Sequence, residues 1–184
     1  MVIKMKVVIG TDHNGTNIKK EIIRFLNNRN IEVVDVSEHN SAIDDYPLYA
    51  FAAAKKVVDK ECEYGILLCG TGIGMSIAAN KVKGIRCAHV TSKNDAILAR
   101  QHNNANMIAL GVNSNKVNDL IKMIDLFLTT DFKNEERHVR RNNQIHDYEM
   151  ESHNFLINDI FSIGQSHQKN PFFYPLSSNV ILIP

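Results

Sequence analysis

The sequence predicts an α/β fold, three-layered and Rossmann-like, with a five-stranded parallel sheet flanked by helices. Three observations predict it. Short β-rich runs alternate with longer helical patterns, the signature of a parallel sheet covered on both faces. The chain's 184 residues, 44% of them hydrophobic, suffice to bury one full core. Glycines and titratable residues follow the strands, where such sheets place their ligands.

The elements read in order as follows. Lys6 to Gly10 is an apolar first strand ending on glycine, and Asn14 to Asn28 is the first helix. Ile31 to Val36 is the second strand, and Tyr46 to Lys60 the second helix. Tyr64 to Cys69 is the third strand, running directly into the short helix Gly74 to Asn80. Ile85 to Val90 is the fourth strand, and Ser92 to His102 the fourth helix, its start marked by Ser92 and Asp95 at the spacing of a capping box. Met107 to Gly111 and Val117 to Thr129 complete the alternation.

The segment Tyr64 to Lys81 carries the chemistry. Cys69 ends an apolar strand; Gly70, Gly72 and Gly74 let the backbone bend and approach a ligand; the following helix points its positive end at the same place. The bland reading is a small buried hydrophobe beside a connecting turn. Known phosphate loops fail on spacing. A dinucleotide fingerprint needs glycine where Met75 stands and an acidic residue after the next strand, and a P-loop needs a lysine before Ser76. A cysteine phosphatase would want an arginine where Met75 stands. What remains is a thiolate facing a small anionic ligand or a developing oxyanion.

Composition excludes other classes. A net charge of +1 supplies no field for nucleic acid or a membrane surface, and no apolar run approaches the ~20 residues that span a bilayer. Cys62, Cys69 and Cys87 are odd in number and contain no C-x-x-C pair, which argues for reduced thiols, against a zinc site, and for a cytoplasmic protein.

Further polar groups stand at Thr11-Asp12-His13 and at Arg100-Gln101-His102-Asn103-Asn104, and the expectation is that they gather with Cys69 in one pocket. Each has a plainer use: Asp12 as a helix N-cap, His13 in a solvated loop, His102 and Asn103 at a helix end. Arg137 and Arg141 lie four apart, on one face of a helix, where both reach one dianion; alone, such a run is more often a solvated face.

Gly-Thr-Asp-His at residues 10–13, Asp45-Tyr46-Pro47, the run Cys69 to Lys81, Gly84-Ile85-Arg86, Gln101-His102-Asn103 and Arg137-His138 together resemble ribose-5-phosphate isomerase B over residues 5 to about 148. The family also contains galactose-6-phosphate isomerase subunits. The resemblance implies a homodimer with active sites between two subunits, no metal and no cofactor. It implies Cys69 as the base moving a proton between C1 and C2 through an enediolate, and His102 opening the furanose ring. The backbone of Gly70, Thr71, Gly72, Ile73 and Gly74, with the Thr71 hydroxyl, would hold the enediolate; Asp12, His13, Tyr46 and Asn103 would line the substrate, and Arg137 and Arg141 its phosphate.

Some members of that family carry a glutamate base where this chain has Met75; Cys69 puts this chain in the thiol-using branch. Many carry a phosphate-binding arginine two residues after the glycine matching Gly111, where this chain has Asn113. That substitution keeps open a hexose 6-phosphate substrate, and a non-catalytic sugar-phosphate sensor. Residues 1–149 form the isomerase domain. Residues 150–184, with three of the four prolines, read as an appended extension with one short helix about Phe155 to Phe161 and turns at Asn170 to Ser178.

Overall fold

The structure, a computed structural model, describes residues 4–41 and 43–150. The chain divides into two units, 1–146 and 147–184. The second is described only to residue 150, so the expected short helix and turns of the extension lie outside the described residues.

Five parallel strands, β1 (Lys6–Thr11), β2 (Glu32–Asp35), β3 (Tyr64–Cys69), β4 (Cys87–Val90) and β5 (Met107–Gly111), lie in the order β2-β1-β3-β5-β4. Among the described residues six α-helices accompany them: α1 (Thr16–Asn28), α2 (Tyr46–Val58), α3 (Ile73–Ala79), α4 (Lys93–Gln101), α5 (Val117–Thr129) and α6 (Glu136–Met150). Because strand side chains alternate, each strand feeds both faces of the sheet. Val7, Ile9, Ile66, Leu68, Ile108 and Leu110 pack with Ile22 and Leu26 of α1, Ala96 of α4 and Ile124 and Phe127 of α5. Val8, Leu67, Cys69 and Ala109 face the other way, onto Ala50, Ala53 and Ala54 of α2 and Met75 and Ala79 of α3. The alanines bring α2 close to the sheet, and Cys69 belongs to this second face.

The predicted boundaries shift where local hydrogen bonding overrides propensity. Residues 13–15 form a 3-10 turn before α1, because the Asp12 carboxylate accepts from Asn14 N at 2.9 Å and starts the turn there. Ile85 and Arg86 stay outside β4: Ile85 N donates to Val82 O, and Arg86 N to the Asn106 side chain at 2.8 Å. Ser92 caps α4 as expected, accepting from Asp95 N at 3.1 Å. The reciprocal half falls one residue early, with Asp95 Oδ2 accepting from Thr91 N at 3.1 Å and also from Thr91 Oγ1 at 2.8 Å. The hydroxyl's bond, first among several, holds the Asp95 carboxyl below its ordinary value.

A lysine-centred polar cluster is built into the core. Lys19 is 3% exposed, and its Nζ lies 2.8 Å from Asp35 Oδ2 and donates to Ser37 O at 2.7 Å. Ser37 Oγ in turn accepts from Thr11 N, so this cluster ties α1 and the end of β2 to the end of β1.

Candidate functional site

The strand order reverses between β1 and β3: the chain leaves β1 toward β2 on one side and β3 toward β4 and β5 on the other. Loops leaving the carboxyl ends of two such strands diverge and open a crevice. Asp12 and His13 follow β1, and Cys69 closes β3; Asp12 N donates to Leu68 O at 3.4 Å, linking the two loops.

Cys69 is 6% exposed, and its Sγ accepts from Gly72 N at 3.0 Å. Gly72 makes that contact in a left-handed conformation, φ +82°, one residue before α3 begins. The Thr71 hydroxyl accepts from Ile73 N at 3.3 Å, which leaves its own hydrogen for a ligand. Gly74 admits Tyr46, because a Cβ at Gly74 would stand 2.7 Å from the Tyr46 Cζ. Gly70 plays the same part for Asn113, whose backbone N donates to Gly70 O at 3.0 Å and whose Nδ2 would lie 2.9 Å from a Cβ at Gly70. Cys69, Thr71, Gly70 to Gly74, Tyr46, Asp12 and His13 thus share the carboxyl end of the sheet. Asp12 does serve as a cap, its two oxygens taken by Asn14 N and Asn14 Nδ2. His13 is exposed.

His102 and Asn103 are elsewhere. Helix α4 runs antiparallel to the strands, so it returns the chain to their amino ends, and the residues after it precede β5. There the Asn103 and Asn104 carbonyls accept from the Arg86 guanidinium at 3.2 and 2.9 Å. Cys69 pairs in register with Gly111, at the far end of β5. Four residue steps along β5 put roughly 13 Å between the two levels. Within one chain, therefore, these residues form two separate clusters at opposite ends of the sheet rather than one pocket.

The second cluster is a cavity of about 190 Å³ lined by His102, Asn103, His138, Arg141, Asn142 and Ile145. The His102 and His138 rings stack at 4.2 Å and 10°. Asn142 Nδ2 donates to His102 O and His138 O at 2.9 and 2.8 Å, fastening α6 to the end of α4. Those two carbonyls fix the amide's orientation, and among the described residues Asn142 Oδ1 and the buried His138 Nε2 have no hydrogen-bond partner. Glu135 Oε2 lies 3.6 Å from that nitrogen, too far for a hydrogen bond. Burial, and next the adjoining His102, push the His138 imidazole below its ordinary value. An arginine in the lining suits the cavity to an anionic ligand. Arg141 lines the cavity, whereas Arg137 is paired with Glu135 at 3.0 Å. In the sequence His138 stood only within the motif Arg137-His138, with no role given to it, and Asn142 was not named; the signal for both was their spacing of four on one helix face.

The other thiols are of a different kind. Cys62 and Cys87 are free and buried; burial raises both, Cys87 to about 12. Among the described residues no helix is long and apolar enough to cross a membrane.

The sequence profile described as ribose/galactose isomerase matches residues 7–145. Ribose-5-phosphate isomerase B of Mycobacterium tuberculosis is 40% identical over 146 residues, 79% of this chain and 90% of the relative. Among solved structures, ribose-5-phosphate isomerase B of Mycoplasma genitalium with bound ribulose-5-phosphate is 42% identical with a TM-score of 0.76, covering 80% of this chain and 98% of its own. The ribose-5-phosphate isomerase B of Clostridium thermocellum aligns equally well, 42% identical with a TM-score of 0.76 over 79% of this chain and 98% of its own.

Proposed function

This chain belongs to the ribose/galactose isomerase family, and from that premise we propose that it interconverts ribose 5-phosphate and ribulose 5-phosphate in the cytosol. The observation that carries the reading is the Cys69 thiol at the switch point of the sheet, with Gly72 N–H directed at its sulfur. An aldose–ketose isomerase must move a proton between C2 and C1 while the neighbouring oxygen carries negative charge.

His102 first moves a proton off and onto ring oxygens, opening the furanose. Cys69 as thiolate then takes the C2 proton of the open-chain aldose. The electron pair passes into a C1–C2 double bond, and charge builds on the substrate oxygen. The Gly70–Gly74 backbone and the Thr71 hydroxyl face that oxygen; preorganised donors of this kind are worth roughly 3 kcal/mol each. One proton passes from O2 to O1, and Cys69 returns its own proton to C1 as the electrons on O2 form the C2 carbonyl of the ketose. Proton transfer by a positioned base contributes about 10² to 10⁴ in rate. Gly72 N–H, 3.0 Å from the sulfur, fixes where the base stands relative to the cradle. Asp12, His13, Tyr46 and Asn103 line the sugar. Arg137, Arg141 and His138 take the phosphate.

This chemistry needs both clusters, which lie at opposite ends of each chain's sheet. We therefore read the protein as a homodimer in which the Cys69 loop of one chain meets the His102–Arg141 end of the other. Beside the loop, Leu48 and Phe51 of α2 and Ile73 and Ile77 of α3 are exposed, an apolar face of the kind a second chain covers.

The test is to incubate the reduced protein with ribose 5-phosphate and a metal chelator and to follow ribulose 5-phosphate directly. Turnover supports the reading. Turnover only on a hexose 6-phosphate would favour the second substrate class, for which Asn113 beside Gly70 is the specific observation. Binding of ribose 5-phosphate without turnover would overturn the enzymatic reading in favour of a sensor.

A further inference from the structure

His89 lies on β4 with its ring exposed, outside every motif considered above, and its Nε2 is 2.9 Å from Thr71 O. A carbonyl oxygen only accepts, so Nε2 carries the hydrogen in this contact, whichever charge state the ring holds. That carbonyl and Gly72 N–H belong to one peptide unit, and Gly72 N–H donates to Cys69 Sγ at 3.0 Å. One amide therefore joins His89 to the thiol.

The same peptide is also crowded by the end of β5. A Cβ at Gly72 would stand 2.9 Å from the His89 Cδ2 and 2.9 Å from the Leu110 carbonyl carbon, and one at Gly111 would stand 2.7 Å from Thr71 O. The Thr71–Gly72 peptide thus packs closely against both the end of β5 and the His89 ring, with no room for a side chain on either glycine.

We infer that His89 is a positioning residue for proton transfer at Cys69: it holds the Thr71–Gly72 peptide in place and polarises it, so that Gly72 N–H stays directed at the sulfur. Hydrogen bonds in a chain polarise one another, so a donor on the carbonyl makes the N–H of that amide a better donor in turn. The inference rests on the isomerase reading for its catalytic consequence, but the geometric part concerns the thiol alone. Because His89 is exposed, water competes for the Thr71 carbonyl, and the effect of losing the imidazole is graded rather than total.

The experiment compares His89→Leu, which removes the donor, with His89→Gln, whose amide nitrogen reaches to about where Nε2 lies. The first readout is the rate of iodoacetamide alkylation of Cys69 at neutral pH, followed by peptide mass spectrometry. Cys69→Ala is the blank, and the buried Cys62 and Cys87 serve as slow internal references. This arm uses no substrate, so it stands or falls apart from the identity of the sugar.

His89→Leu is expected to slow alkylation by about threefold or more and to lower kcat by about tenfold with KM within about twofold, as loss of one hydrogen bond that holds the donor on the sulfur implies. His89→Gln is expected to return both rates to within about twofold of the parent. Alkylation and kcat unchanged in His89→Leu would overturn the inference, as would a glutamine variant no better than leucine. Should the leucine variant lack a cooperative melt, His89→Asn, polar but too short for the carbonyl, takes its place with the same expected losses.

Discussion

Gly72 and Gly84 offer a matched pair for measuring what the cradle demands of its backbone. Both are left-handed, at φ +82° and +83°. Replacing either by alanine places a Cβ in a conformation that costs L-residues roughly 1–2 kcal/mol. At Gly84 the new Cβ meets only Val58 Cγ2, at an ordinary 3.8 Å, so that conformational cost is the whole expected effect. At Gly72 it meets His89 Cδ2 and the Leu110 carbonyl carbon at 2.9 Å and Gly111 N at 3.0 Å. Two of those three are backbone atoms of β5, a strand paired on both sides, so they cannot yield cheaply. Overpacking of this kind costs about 1–3 kcal/mol. The sum is about 1–2 kcal/mol for Gly84→Ala against about 2–5 kcal/mol for Gly72→Ala. Urea unfolding at one fixed protein concentration, with matching slopes, reads the difference. Activity should separate the pair further. Gly84→Ala should keep kcat near the parent, and Gly72→Ala should lose about 10²-fold, the cost of misplacing one donor at the reacting centre. Equal unfolding midpoints in the two variants would refute the claim that the loop is wedged against β5.

Cys69→Ala is expected to lower kcat by at least ~10² while ribose 5-phosphate binds within about threefold of the parent by calorimetry, since a base acts on the transition state; a matching loss of binding would count against the base role. His138 sets a pH dependence of stability. Burial first, and His102 second, hold its imidazole below the ordinary 6.5, with Arg137 and Arg141 acting the same way and Glu135 against them. The unfolded chain then binds the proton more readily, so stability is full above about pH 6.5 and is lost as pH falls below it toward the lower folded value. Urea midpoints of the parent should fall more steeply between pH 7 and 5.5 than those of His138→Gln; parallel curves would remove the effect.

The sheet was legible because its signals are local. Alternation of apolar strands with helical runs fixes the class, and Val117–Thr129 and Tyr64–Cys69 emerged with the expected bounds. The boundaries that moved did so where a side chain reached across the chain: Asn106 took the Arg86 amide that β4 was expected to use, and Asp12 opened a 3-10 turn in place of the first turn of α1. The Cys69 loop could be read because glycine spacing and a strand-end thiol are sequence properties. Tyr46 against Gly74 and His89 on Thr71 could not, since each depends on which elements the tertiary fold lays side by side. His138 was hidden for another reason: its burial comes from the stacking of α6 on the end of α4, 36 residues away from His102 by number but in contact through the rings.

The placement of His102 shows why topology, not polarity, decides what can meet. In a parallel sheet a segment that follows a strand emerges at the carboxyl end, and one that follows a helix emerges at the amino end. Cys69 follows the first rule and His102 the second, so no adjustment of loops within one chain unites them across roughly 13 Å of β5. If one site takes Cys69 from one chain and His102 from another, two dead variants should revive each other. A mixed dimer of Cys69→Ala and His102→Ala has one site with both groups missing and one with both present. Equal amounts, unfolded and refolded together, form mixed dimers in about half the population for a two-fold symmetric assembly, giving about a quarter of the parent's activity. The separately refolded variants, combined afterwards without exchange, should stay near background. Activity no higher in the co-refolded sample would mean that Cys69 and His102 serve the same chain's site, and the dimer reading would fall with it.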